Sequence, residues 1–216
     1  MIKRIIIVLS VISSLIIWSY YHPVSKPKIQ KDNRYVKLNN KGEALAEWDG
    51  PWMCVEDKNT GLIWEVKSYI EDVHDEQSTF SWYDGKKGVE DTGDCFINEE
   101  YCDTLDIIKQ SNQERLCGVS SWRLPTKKEL KSLMKYKARP GDALIDTSYF
   151  PYARKGPYWT SNNEIPLFGI YEHYNKGALS ISFLDSKVKA LPYNSTCFVR
   201  LVANKHKNNN LLLWKD

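Results

Sequence analysis

The cysteines and histidines are the residues of this chain with the strongest metal and redox chemistry. Cys95 and Cys102 lie seven positions apart in a polar segment and could close a small covalent ring. A structural zinc site would need about four ligands, usually with a C-x2-C spacing and histidines nearby. His22, His74, His173 and His206 fit no such pattern. The spacing therefore favours a Cys95–Cys102 disulfide, and we predict no metal site and no cofactor.

Other side chains with reactive or ligand-binding chemistry are present, but their spacing does not complete a known site. Acidic residues between 71 and 100 could supply oxygen ligands for calcium, yet they lack the D-x-[DN]-x-[DN]-G order, so a solvated loop is favoured. Arg123 and Arg200 could bind an anion, but their apolar surroundings favour a structural ion pair or a clamp on backbone carbonyls. No Ser/His/Asp order, nucleotide loop or paired-carboxylate motif is found. We predict no catalytic residues, and the chain is not expected to be an enzyme.

Aromatic residues are abundant, with eight tryptophans and thirteen tyrosines. Most are expected in the core because aromatic side chains bury large areas. Trp64, Trp122 and Trp159 are assigned to it. Trp82 and Tyr83 lie in a long polar segment, 67–101, which is predicted to be an irregular loop. They are our two candidates for ligand binding, since loops on a rigid scaffold often carry recognition.

The N-terminus has the pattern of an export segment. Lys3 and Arg4 precede an apolar run over 5–18, which is typical of a signal peptide or a signal anchor over 1–22. The run is shorter than the roughly 20 residues of a spanning helix, and a small-residue cleavage site does not follow it. The first cysteine is Cys54, so a lipid-modified cysteine after the run is excluded. We expect either an inner-membrane anchor with a periplasmic domain or a cleaved, periplasmic or secreted protein.

Composition and patterning divide the remainder into a polar tether (23–47), one domain (48–204) and a polar tail (205–216). The net charge of +3 is spread along the chain, so nucleic acid is not an expected partner. Helices are predicted over 104–116 and after Pro125, where Thr126 and Glu129 form a capping box. Strands are predicted over 62–66, 158–161, 168–174, 178–183, 187–191 and 198–203. This order indicates an α+β fold.

Several segments in this order resemble the Lcl C-terminal domain family, a bacterial extracytoplasmic module named after a collagen-like adhesin. They are WMCVEDKNTGLIWEV, FSWYD, GDCFINEEYCDT, RLCGVSSWRLPTKKEL, YFP, YWTS and FVRLVA, between Trp48 and Ala203. The resemblance implies a C-type lectin-like fold, in which two helices flank a small antiparallel sheet with long loops. It also implies a Cys54–Cys117 disulfide, since both cysteines lie beside family motifs. The calcium-lectin triplets EPN, QPD and WND are absent, so calcium-mediated sugar binding is not implied.

The expected function is a non-catalytic binding or adhesion module of the bacterial envelope, whose partner is a glycan or an envelope protein. One alternative is an enzyme or assembly factor related by fold to the formylglycine-generating enzymes, whose WRLPT segment is similar. That chemistry would need a reactive cysteine pair near the C-terminus, where Cys197 stands alone and is expected to be a small apolar core residue. A purely structural envelope protein is the third alternative.

We predict that the chain keeps its N-terminus and stays in the cytoplasmic membrane with its domain outside. Bulky residues and Pro23 follow the apolar run where a signal peptidase needs small ones, and Lys3 and Arg4 favour the cytoplasmic side. N-terminal sequencing of the membrane fraction should return the first residues of the chain. A mature protein that begins between Ser19 and Lys28 would instead mean a cleaved signal.

Overall fold

The computed structural model describes residues 34–96, 102–136 and 141–205. The predicted export segment (1–22) lies outside these ranges, as does nearly all of the predicted tail. Within the described part of the chain, no helix is long and apolar enough to cross a bilayer. The α+β class is confirmed, with short helices and two small antiparallel sheets.

The first sheet joins the two ends of the domain. Its antiparallel strands stand in the order β1-β2-β3-β8. The tether was predicted to run to residue 47, but β1 pairs with β2 along its whole length and buries two of its own side chains, so that prediction is wrong. The four strands are β1 (Tyr35–Leu38), β2 (Cys54–Asp57), β3 (Leu62–Glu65) and β8 (Val202–Asn204).

The second sheet is built around β6. Strand β7 pairs along one edge of β6, while β4 and β5 follow each other along the other edge. The strand predicted over 168–174 is wrong, because Gly169–Tyr174 forms a 3₁₀ helix. Its apolar residues Phe168 and Ile170 are exposed, so their alternation marks no buried strand face. The strands of this sheet are β4 (Pro157–Trp159), β5 (Ile165–Pro166), β6 (Lys176–Ser182) and β7 (Val188–Pro192).

Two α-helices lie on opposite faces of the first sheet. Helix α1 (Thr104–Gln113) packs Ile107 into one hydrophobic cluster, and α2 (Lys127–Ser132) packs Leu130 into the other. Successive residues of β3 alternate between these clusters, as the period of a strand requires, so Ile63 joins the first and Trp64 the second. The sheet is therefore buried on both faces.

The local helix signals are borne out with one change. Thr126 and Glu129 form the predicted capping box at the start of α2. The helix predicted over 104–116 ends as an α-helix at Gln113, because Arg115 adopts a left-handed conformation, and a short 3₁₀ turn (Leu116–Gly118) follows. Trp64, Trp122 and Trp159 are buried as predicted.

The described part of the predicted loop, 67–96, packs against the core instead of forming a solvated loop. Val73, Phe80 and Trp82 belong to the first hydrophobic cluster. Phe80 exchanges backbone hydrogen bonds with Cys197, at 2.9 and 3.1 Å, and Thr79 does the same with Asp94. The prediction of a loop without a packing role is therefore wrong, since short bridges to distant segments replace the local periodicity that sequence patterns detect.

A buried charge network holds the start of this segment. Glu65 is fully buried at the end of β3, and its Oε1 lies 2.9 Å from Lys67 Nζ and 2.8 Å from His74 Nδ1. Its Oε2 accepts a hydrogen bond from the Leu201 N–H at 2.8 Å. Burial alone would raise the pKa of Glu65, but Lys67 and His74 outweigh it and hold this pKa well below its usual range. Glu65 is therefore ionised, and both of its carboxylate oxygens have hydrogen-bond partners.

His74 connects this network to the end of α1. Its Nε2 lies 3.3 Å from Glu114 Oε2, so both ring nitrogens face a carboxylate. Burial disfavours the charged ring, but the hydrogen bonds with Glu114 and Glu65 prevail and raise the pKa of His74 to about 9. The ring is thus an imidazolium at neutral pH that bridges β3 to α1.

We predict that the domain loses stability between about pH 6.5 and pH 9. A group whose pKa is raised on folding stabilises fully below its unfolded pKa, and this contribution disappears as pH rises through the folded value. The thermal midpoint of the wild type should fall by at least about 3 °C over this interval, which corresponds to roughly 1 kcal/mol for a domain of this size. His74→Gln should flatten the fall. Lys67 can also titrate at alkaline pH, so the test compares the fall of the thermal midpoint in the wild type with that in His74→Gln. An equal fall in both proteins would contradict the prediction.

Candidate functional site

The candidate site is a surface groove of about 530 Å³ beside α1. Four segments that are distant in the chain meet there: 82–84, α1, 123–126 and 161–163. We call it the helix groove. Its apolar floor consists of Trp82, Leu105, Ile108 and Leu124, and its polar rim consists of Tyr83, Asp84, Arg123, Thr126, Ser161 and Asn163.

A tight hairpin places the two predicted aromatic residues at the groove. The N–H of Tyr83 donates to Thr104 Oγ1 at 2.9 Å, and the Thr104 hydroxyl donates to the Tyr83 carbonyl at 2.7 Å. Gly88 closes the hairpin with a φ of 111°, and a Cβ there would lie 2.0 Å from the Trp82 carbonyl oxygen. Only glycine fits this approach. The hairpin is thereby fixed to the first turn of α1.

Trp82 does not present an exposed ligand surface, so the prediction for this residue is corrected. Its side chain is 2% exposed, its Nε1 donates to the Thr160 carbonyl at 2.9 Å, and its ring lies 5.1 Å from that of Tyr193. The surrounding segment is packed instead of solvated, which turns this ring inward. Trp82 contributes only to the groove floor.

Tyr83 is half-exposed on the rim, so its candidacy as a ligand contact stays a prediction. Its hydroxyl is hydrogen-bonded to the Glu90 carboxylate, which raises the pKa of Tyr83. The ring is therefore neutral and held at the mouth of the groove.

The charges of the rim are largely matched within the protein. Arg123 donates to both carboxylate oxygens of Glu129, at 2.9 and 2.7 Å. The predicted structural ion pair is confirmed at this position, and it raises the pKa of Arg123 and lowers that of Glu129. Asn163 Nδ2 lies 3.4 Å from Asp84 Oδ2. The groove thus offers polar atoms without a strong excess of either charge.

The two predicted disulfides are present, and both support this region. Cys54–Cys117 joins β2 to the turn after α1, and Cys95–Cys102 ends one residue before the N-cap of α1. Cys197 is buried with a free thiol, and burial raises its pKa. A protonated, enclosed thiol is a poor nucleophile, which agrees with its assignment to the core.

Among the described residues, one set of carboxylates could approach a metal ion: Asp91, Asp103 and Asp106. Two of them already cap α1, since Asp103 accepts from the N–H groups of Leu105 and Asp106, and Asp106 accepts from the N–H of Asp103. Burial, together with nearby Asp106, raises the pKa of Asp103 to about 6. The capping box at the start of α1 therefore already uses Asp103 Oδ1 and Asp106 Oδ2 as hydrogen-bond acceptors.

Sequence reasoning missed most of the groove. Leu105 and Ile108 lie in the helix predicted over 104–116, and they are only partly buried and line the opening. Ser161 was predicted only as the last residue of a strand, and Asn163 follows that strand and carries no motif. The sequence contained one signal for the groove. Helix α1 carries two apolar residues, three positions apart, in addition to those that fill the core.

We predict losses of stability of different size for the two aromatic residues. Trp82→Ala should lower the free energy of unfolding by about 3–5 kcal/mol, as expected when a buried tryptophan is truncated. Tyr83→Ala should lower it by less than about 1 kcal/mol, because the ring is at the surface. Urea unfolding of both variants measures this. Equal losses would show that Tyr83 is also part of the core.

Comparison with known proteins assigns the family. Neither a curated protein nor a solved structure matches this chain. The model of the Lcl C-terminal domain matches residues 53–203, which is most of the part that the structure describes. The chain belongs to the Lcl C-terminal domain family.

Proposed function

We propose that this protein is a non-catalytic binding module of the bacterial envelope that holds a neutral glycan in the helix groove. The groove itself carries the proposal, because it combines an apolar floor with a rim of hydroxyl, amide and carboxylate groups. Sugar rings have apolar C–H faces and hydroxyl edges, so they are complementary to such a surface.

The charge of the rim favours a neutral ligand over an anionic one. The Arg123 guanidinium is paired with Glu129, while Asp84 and the Glu90 carboxylate beside Tyr83 are negative. An anionic glycan or a nucleic acid would meet these acids without a free cation on the rim to offset them. A basic protein surface remains the second partner class, and the experiment below distinguishes it.

Export and a C-type lectin-like fold are further parts of the proposal. Two disulfides fit an oxidising compartment. Pairing of the N-terminal strands β1–β3 with the C-terminal β8, between two helices, supports the fold. We propose that residues 1–22 anchor the chain or direct it across the inner membrane, which leaves the domain in the periplasm or outside the cell.

Nothing in the described residues favours the formylglycine-generating alternative. That chemistry requires an accessible cysteine pair, whereas Cys197 is buried and the other four cysteines form disulfides. The binding role is therefore the one that the geometry supports best.

A glycan array probed with the purified whole chain tests the proposal. Neutral oligosaccharides should be retained in preference to sulfated or uronate ones. Tyr83→Ala and Asn163→Ala should each weaken the best ligand about tenfold, equivalent to about 1.4 kcal/mol. Tyr136→Ala is the matched control, since this tyrosine is also exposed and lies outside the groove. Retention of only anionic glycans, retention of only basic proteins, or binding that is insensitive to both groove variants would refute the glycan site.

A further inference from the structure

A second cavity, which shares no lining residue with the helix groove, lies beyond the end of β3. It has a volume of about 340 Å³ and is bounded by the segments 51–53, 66–72 and 151–152. We call it the aromatic cleft. Trp52, Tyr69 and Tyr152 supply rings to its walls, with Met53 and Ile70 beside them.

The walls of the aromatic cleft are held in place before any ligand arrives. Trp52 Nε1 donates to the Tyr149 carbonyl at 2.8 Å, and Lys37 Nζ lies 3.7 Å from the centre of a Trp52 ring. The rings of Tyr69 and Tyr152 contact each other with centroids 5.3 Å apart. Tyr69 and Ile70 nevertheless remain largely exposed, so their apolar surface is left in water. A rigid, partly exposed apolar wall suits an apolar ligand.

Lys67 brings a positive charge to the same cleft. It lines the cavity, although its side chain is only 3% exposed, and its Nζ lies 2.9 Å from Glu65 Oε1. An ammonium group has three N–H donors. Glu65 also receives His74 and the Leu201 N–H, so three donors share this single buried carboxylate.

Lys67 and His74 share one oxygen of a fully buried carboxylate, Glu65 Oε1. Lys67, His74 and Arg200 are each at least nine-tenths buried, and Glu65 is the carboxylate among them. Arg200 donates to the Glu65 carbonyl at 2.6 Å, while its Nε and Nη2 have no hydrogen-bond partner among the described residues. Further acids of this network lie nearer the surface, where water screens them. They are Glu114, at the surface end of α1, and Asp72, at the cleft, where its Oδ1 accepts from Ser68 and from the His74 N–H.

We propose that the aromatic cleft binds a small amphipathic carboxylate. Its apolar body lies against Trp52, Ile70 and Tyr152, and its carboxylate contacts the Lys67 ammonium. A neutral apolar molecule would accept no hydrogen bond from the Lys67 ammonium, whose acceptor on Glu65 is shared with His74, and an apolar cation would be repelled by this ammonium. A charge-assisted hydrogen bond at an enclosed ammonium is also stronger than one at the surface.

The test uses the whole chain and two probes that differ in charge alone. The probes are 4-phenylbutyrate and its primary amide, which have the same apolar body and do not form micelles at the concentrations required. Titration calorimetry, with saturation-transfer NMR for weak binding, should give an affinity for the acid at least about tenfold higher than for the amide. Equal affinities, or no binding of the acid at about 5 mM, would overturn the proposal.

A matched pair of variants locates the site. Ile70→Glu places a negative charge at the mouth of the cleft and should weaken the acid about tenfold. Ile170→Glu makes the same change at a side chain that is 81% exposed and outside the cleft, and it should have no effect. Both are surface changes, so the pair stays informative even if Lys67→Met, which should abolish the preference for the acid, fails to fold. Equal affinities of the two variants would place the bound acid elsewhere and refute the cleft.

Discussion

The ionised carboxylate of Glu65 is the constraint on which the two cavities depend. It is fully buried, and its oxygens contact Lys67, His74 and the Leu201 N–H. An isolated charge in such a place would cost several kcal/mol, so each of these partners must be held in position for the domain to fold. Lys67 thereby reaches the aromatic cleft, and His74, through Glu114, ties the end of α1, whose first two turns line the helix groove. One carboxylate thus fixes the placement of segments that meet at two separate surfaces.

A network of this kind selects a structure more than it stabilises one. Well-packed apolar residues often give equal or greater stability than a buried ion pair, whereas removal of one partner is strongly destabilising. The Glu65 carboxylate has all of its observed partners only when 67–75 and 200–201 are arranged as they are here. An arrangement that removed these partners would leave a buried charge unpaired. This explains how a segment with few apolar residues, such as 67–75, can be ordered over the core. Its conformation follows from the hydrogen bonds of Lys67 and His74 more than from a hydrophobic face, to which it contributes Val73.

Elements with local signals could be predicted from the sequence, whereas elements ordered by distant contacts could not. The capping box of Thr126 and Glu129 and strand β3 were predictable because their signals are local. The spacing of Cys95 and Cys102 predicted one disulfide, and the family resemblance implied the Cys54–Cys117 disulfide. Strand β1 was missed because its four residues sit in a polar stretch and are ordered by pairing with β2. Trp82 was misplaced since the burial of its ring depends on Thr160 and Tyr193, far along the chain. The groove was beyond prediction for a related reason, as its walls come from four segments that only the fold brings together.

The disposition of charge gives the two cavities different chemistry. At the helix groove, Arg123 is committed to Glu129 and also contacts the Leu124 carbonyl, so its guanidinium maintains the wall instead of attracting anions. At the aromatic cleft, Lys67 shares its counter-ion with His74 and stays the one ammonium on the lining. Polar atoms without a free cation select by the positions of hydroxyl groups, while an enclosed cation beside aromatic rings selects by charge and apolar volume. Since the cavities have no lining residue in common, a ligand in one need not exclude a ligand in the other, although the Glu65 network connects Lys67 at the cleft to the helix that lines the groove.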